Sequence, residues 1–271
     1  MRETGATQDQ AGQDQATRWL ARGEHEIPGH ESWLMPVETK RLGQIRFTKR
    51  RTEFLLRRWT AKQAIATALG LHGEAARDPD TLTRIAVLNY FTGAPYALLD
   101  GEKLGVDISV TDRAGWAVCL VGPGLDAVGV DLELVEPRSD GFVADFLTAP
   151  EREYVDAQPD TDARYAAANL MWSAKEAALK VLRTGLRADT RTVEVTFTPV
   201  PDEDPHAGWG RMSVRHTPTG DIFPGWWRRD GEFVLTVAST QATPAPQILP
   251  ASADLATATP VHSWLANPVA T

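Results

Sequence analysis

Cysteine is almost absent from this 271-residue chain. Cys119 is the only one, so no intrachain disulfide can form. It stands in the apolar run Trp116-Ala117-Val118-Cys119-Leu120-Val121, which reads as a buried small hydrophobe rather than a nucleophile. No stretch approaches the ~20 apolar residues of a membrane-crossing helix. The first ten residues, MRETGATQDQ, lack the apolar core of a secretory signal. A net basic charge is missing too. The formal charge is -8, which argues against a generic nucleic-acid binder. The expectation from these absences is a cytoplasmic protein without nucleic-acid or membrane partners.

What is present is unevenly distributed. Between Lys40 and Lys62 stand nine basic residues and one acid, Glu53, a segment suited to an anionic ligand or an acidic partner. Residues 1–31 are polar and are expected to be partly disordered. Residues 240–271, rich in Ala, Pro and Thr, read as a loose tail in which Trp264 and Leu265 are the candidates for docking. Two α+β units are expected between them, at 32–125 and 126–239. Periodicity places a helix over 48–69 and strands near 84–90 and 115–121 in the first. In the second it places a strand over 127–134, a helix over 161–183 and strands near 192–198, 211–216 and 232–238. No residue-level repeat is read between the halves.

Three segments carry chemistry. Residues 127–134 read Ala-Val-Gly-Val-Asp-Leu-Glu-Leu. Strand side chains alternate, so Val128, Val130, Leu132 and Leu134 face a core while Gly129, Asp131 and Glu133 face the other way. Two adjacent carboxylates suit Mg²⁺, and the glycine beside them is read as leaving room for a ligand. An ordinary solvated face is the competing reading. In the helix 170–183, Trp172, Glu176 and Lys180 recur at i, i+4 and i+8, and Gly185 is a plausible C-cap. Taken alone, Glu176 and Lys180 make a helical ion pair worth ~0.3–0.5 kcal/mol. Taken with the strand, they supply a third carboxylate and an ammonium, which phosphoryl-type chemistry requires. In the helix 48–69, Arg51, Arg58 and Lys62 fall within an arc of roughly 40°. They either point at an anion or snorkel into water.

Together these segments resemble the Sfp-type 4′-phosphopantetheinyl transferases. The match rests on Gly129-Val130-Asp131-Leu132-Glu133 and Trp172-Ser173-Ala174-Lys175-Glu176-Ala177-Ala178-Leu179-Lys180. Asp145-Phe146-Leu147-Thr148 with Glu151 and the arginine-rich stretch Arg51–Lys62 support it. It spans residues 32–238. The resemblance implies two similar α+β subdomains related by a pseudo-twofold, with coenzyme A in the cleft between them. It implies that Asp131, Glu133 and Glu176 hold Mg²⁺, that Glu176 takes the proton of a carrier serine and that Lys180 steadies phosphate charge. Lys175 is implied near the phosphates or as a structural residue, and Arg51, Arg58 and Lys62 at the nucleotide end. The implied partner is an acyl or peptidyl carrier protein, and the implied state is a monomer.

The chain departs from the family pattern twice. Gly93-Ala94-Pro95 stands where the family has Gly-Lys-Pro, and Ser109-Val110-Thr111 where it has Ser-His-Ser. Ser109, Thr111 and Arg113 are the residues expected to compensate toward phosphate. The departures keep two other expectations open: a carrier-binding relative without catalysis, and an enzyme using a different cofactor on the same scaffold.

Overall fold

The computed structural model describes residues 16–124, 126–183, 189–198 and 208–261. Two helices of 21 residues each organise it, α2 (Thr48–Ala68) and α6 (Thr161–Val181). The shorter helices are α1 (Pro36–Leu42), α3 (Pro79–Thr83), α4 (Asp140–Phe146) and α5 (Ala149–Asp156). Twelve described strands accompany them. Those that position the site are β1 (Arg18–Gly23), β2 (Ile85–Asn89), β3 (Pro95–Leu99), β5 (Val106–Arg113), β6 (Trp116–Pro123) and β7 (Val128–Leu134). The rest are β4 (Glu102–Lys103), β8 (Val193–Phe197), β9 (Gly210–His216), β10 (Ile222–Asp230), β11 (Phe233–Ser239) and β12 (Gln247–Ile248).

The strands form a sheet in the order β12-β1-β6-β5, a second in the order β7-β11-β10-β9-β8, and a small third, β2-β3-β4. Helix α2 packs on the first large sheet, with Phe54, Trp59 and Ile65 meeting Leu20, Cys119 and Val121. Helix α6 packs on the second, with Met171, Ala174 and Ala178 meeting Val195, Val214 and Ala238. Between the two large sheets lies a third core, of Trp19, Val118 and Leu120 against Val130, Leu132 and Leu235. The order of layers is helix, sheet, sheet, helix. Both faces of β6 are therefore covered, which is why its sequence is an unbroken apolar run rather than an alternation. Cys119 is fully buried there, and burial pushes its thiol far above the ordinary range, as expected of a packing residue.

Four expectations are corrected. First, residues 18–23 of the polar N-terminal segment form a strand inside the first sheet, paired along its length with β6. Second, the tail is not loose over its described part. Gln247–Ile248 pair in parallel with β1, Leu255 is buried, and Val261 donates to the Ala114 carbonyl at 2.8 Å. Trp264, Leu265 and Gly185 lie outside the described residues. Third, Gly129 makes room for α6 and not for a ligand. A Cβ at this position would sit 1.9 Å from the Ala177 carbonyl oxygen.

Fourth, the halves do repeat at the residue level. Glu38 in the first turn of α1 accepts from the Met35 amide at 3.0 Å and from the Val87 amide of β2 at 3.0 Å, and pairs with Lys62 at 2.5 Å. Glu151 in the first turn of α5 accepts from the Thr148 amide at 2.8 Å and from the Val195 amide of β8 at 2.8 Å, and pairs with Lys175 at 2.8 Å. Both lysines are wholly buried, and each donates to two carbonyls, of Trp33 and Leu82 in one case and Thr190 and Val193 in the other. Trp59-Thr60-Ala61-Lys62-Gln63-Ala64 is then the counterpart of Trp172-Ser173-Ala174-Lys175-Glu176-Ala177. Each half is a long helix on a largely antiparallel sheet, locked to a short helix by a buried lysine–glutamate pair.

Candidate active site

Strand β7 is the edge of its sheet, and one row of its amides faces β5 of the other sheet. Side chains of β5 receive that row. The Val128 amide donates to Asp107 Oδ2 at 2.9 Å, the Val130 amide to Ser109 Oγ at 3.0 Å, and the Leu132 amide to Thr111 Oγ1 at 3.4 Å. The alternation of β5 is what allows this, with Ile108 and Val110 turned to the core under α2. The seam satisfies backbone groups that burial would otherwise leave unpaired.

With its apolar residues turned to the inter-sheet core, β7 turns Asp131 and Glu133 toward α6. Asp131 is 6% exposed and Glu133 9%. Asp131 Oδ1 accepts from Thr111 Oγ1 at 3.1 Å and pairs with Lys180 Nζ at 2.7 Å, and Lys180 also donates to the Val130 carbonyl at 2.8 Å. Glu133 has both oxygens engaged. Oε1 accepts from Trp172 Nε1 at 3.0 Å, and Oε2 pairs with Arg138 at 3.0 Å and Arg113 at 3.2 Å. Arg138 is fixed in turn by Asn169 Oδ1 at 2.6 Å and by stacking on Phe142. Burial, then repulsion by Asp131, raises the Glu133 carboxyl to about 7. Burial, Asp131 and Glu133 raise Glu176 to about 7, against the pull of Lys180.

Two buried oxygens in this cluster have no hydrogen-bond partner, Asp131 Oδ2 and Glu176 Oε1. Orphaned carboxylate oxygens on two mutually repelling groups fit a divalent cation that takes two carboxylates and completes its shell with water and phosphate oxygens. Among the described residues, no three His, Cys, Asp or Glu side chains are gathered as a ready ligand set. Asp131 and Glu176 offer the unpartnered oxygens, and Glu133 is engaged by its arginines and Trp172.

Beside the cluster opens a cavity of about 780 Å³ between the two halves. Helix α2 and the loop before it line one side, the β2–β3 turn and β5 another, and Val128, Lys180 and Arg183 the far end. Seven cations face it, Arg41, Arg46, Arg50, Arg57, Arg58, Lys180 and Arg183, against the two carboxylates Glu53 and Asp107. The guanidinium groups of Arg46 and Arg50 have no hydrogen bond or ion pair among the described residues. Arg58 holds Asn89 Oδ1 at 3.1 Å and stacks on Phe54. Ala94 and Val110, the two departures, both stand in the cavity wall.

The anion-binding residues expected from sequence divide sharply. Arg58 and Ser109 line the cavity. Arg51 does not; it pairs with Glu31 and donates to the Leu42 carbonyl. Lys62 and Lys175 are sealed in the core by Glu38 and Glu151, so neither reaches a phosphate. Thr111 serves Asp131. Arg113 serves Glu133 and Glu136, and does not replace the missing histidine in the cavity. The sequence reading missed Arg41, Arg46, Arg50, Arg57 and Arg183 in the cavity and Arg138 at Glu133. The first four were visible within the basic stretch 40–62. Arg138 and Arg183 sit in a loop and at a helix end, where periodicity carries no signal.

Residues 127–237 match the family model of the 4′-phosphopantetheinyl transferase superfamily. This segment holds β7, α6 and the whole carboxylate cluster, and the match agrees with the resemblance drawn from the motifs. The superfamily associates this region with phosphopantetheine transfer from coenzyme A to carrier proteins. A comparison with curated proteins gave no match. Among the described residues no helix is long and apolar enough to cross a membrane.

Proposed function

We propose that this chain is an Sfp-type transferase that moves the 4′-phosphopantetheine arm of coenzyme A onto a serine of an acyl or peptidyl carrier protein. The observation that carries the reading is a cation-lined cavity whose far end, at Lys180, meets buried carboxylates with two unpartnered oxygens. Such a cavity suits a polyphosphorylated ligand, and the carboxylates suit a cation beside the pyrophosphate. The enzyme of this reading acts as a cytoplasmic monomer.

The residues divide the work as follows. Arg46, Arg50 and Arg58 receive the phosphorylated nucleotide end, in place of the lysine and histidine absent at Ala94 and Val110. Lys180 meets the pyrophosphate. The carrier serine oxygen attacks the β-phosphorus, a new P–O bond forms, and the bond to the bridging oxygen breaks. 3′,5′-Adenosine bisphosphate leaves, and the serine proton passes to Glu176. Asp131 and Glu176 would hold Mg²⁺, which supplies neutralisation of charge on the phosphate oxygens. Arg113 and Arg138 keep Glu133 and Trp172 in place behind them.

The test is release of 3′,5′-adenosine bisphosphate, followed by chromatography, when an apo carrier protein is added to enzyme, coenzyme A and Mg²⁺. Glu176→Gln is expected to slow release by about 10²–10⁴-fold. Binding of a carrier with no release by the wild type would instead support the non-catalytic relative. Thermal protection by another anionic ligand but not by coenzyme A would support the altered cofactor.

A further inference from the structure

Lys180 is the residue shared by the carboxylate cluster and the cavity. Its ammonium is bound to Asp131 Oδ1 and the Val130 carbonyl, while its side chain, 28% exposed, lines the cavity wall. Its stem leaves α6 beside Gly129, so the root of the side chain is fixed close to β7. We propose that Lys180 is a movable place-holding cation that couples the two ligands of the site. The inference rests on the cation site proposed above.

The physical argument is one of charge. Without ligands, the ammonium satisfies a buried carboxylate that would otherwise be left bare, which is costly. A divalent cation at Asp131 Oδ2 and Glu176 Oε1 lies on the same carboxylate as the ammonium, and the two repel. An anion in the cavity draws the ammonium away from Asp131. Each ligand therefore moves Lys180 in the direction that favours the other. A coupling of this kind is reciprocal, with a typical magnitude of about 5–150-fold in affinity. The surroundings support the movement. Thr111 remains as a second donor to Asp131 after the lysine leaves, and Arg113 and Arg138 are committed to Glu133, so neither takes its place.

The experiment is a Mn²⁺ titration of the full-length protein, read by electron paramagnetic resonance of free Mn²⁺, with and without saturating coenzyme A. In the wild type, coenzyme A is expected to tighten Mn²⁺ binding by about tenfold or more. Lys180→Met keeps the length of the stem and removes the charge. It is expected to bind Mn²⁺ alone more tightly than the wild type and to lose most of the enhancement, and Lys180→Gln is expected to behave alike. Circular dichroism confirms that both variants fold. Lysine variants that bind Mn²⁺ no better than the wild type, with the enhancement intact, overturn the role of Lys180 while leaving the cation site standing. Wild-type protein that binds no Mn²⁺, or binds it equally well as Asp131→Asn, overturns the cation site and this inference with it.

Discussion

Arg46 and Arg50 approach the cavity with no hydrogen bond or ion pair among the described residues, whereas Arg57 is paired with Asp112 and Arg183 with Asp107. A guanidinium with no such bond to give up loses none when a phosphate arrives, so these two are expected to contribute most to anion affinity. Arg50→Ala is expected to weaken coenzyme A binding by about tenfold or more, since a hydrogen bond to a charged group is worth ~1.5–3 kcal/mol. The loss should shrink for dephospho-coenzyme A if Arg50 meets the 3′-phosphate. Calorimetry with both ligands reads the difference. A helical wheel put Arg51, Arg58 and Lys62 together instead, and it was right about their angles. It had no means of showing that Glu31 captures Arg51 and that Glu38, also from outside the helix, pairs with both Arg58 and Lys62. The carboxylates were legible because strand alternation fixes a face. Their partners were not, because Arg113 and Arg138 come from a strand end and a loop.

At the scale of elements, the buried lysine–glutamate pairs set how each short helix sits on its long one. Breaking one leaves an uncompensated buried charge, which costs about 3–5 kcal/mol. Lys175→Met is expected to destabilise the protein by that amount in urea unfolding, with Lys175→Met/Glu151→Gln recovering part of the loss. An equal loss in the single and double variants would show that the pair is not the source. The lysine also lies in the stretch that carries the resemblance, so a purely structural role explains its presence there. The two long helices and β7 were legible from periodicity. Strand β5 carries a clear alternation, Val106, Ile108 and Val110 against Asp107, Ser109 and Thr111, and was within reach of the same reasoning. Strand β10 was hidden by Pro224 and Gly225, which ordinarily argue against a central strand. Here the pairing with β11 begins only at Gly225, and a Cβ at that glycine would sit 2.2 Å from the Val237 carbonyl oxygen.

At the scale of the whole molecule, the site exists because two similar halves face each other, one giving the arginines and the other the carboxylates. That arrangement has a cost in the absence of ligands. Glu133 and Glu176 both titrate near 7 in the folded protein, above the range of an unfolded chain. Between about pH 4.5 and 7 the folded state therefore binds more protons than the unfolded one, so stability falls as pH rises through that window. Metal-free protein is expected to melt at a lower temperature at pH 8 than at pH 5. Added Mg²⁺ should restore stability at pH 8 more than at pH 5. A melting temperature that rises with pH across this window would contradict the electrostatic account.

The central claim is tested most directly by the intact mass of an apo carrier protein after incubation with this protein, coenzyme A and Mg²⁺. The account predicts a gain of one phosphopantetheine on the carrier serine, lost with Glu176→Gln and on chelation of the metal. An unchanged mass across acyl and peptidyl carriers, with folded protein and bound coenzyme A, would contradict it.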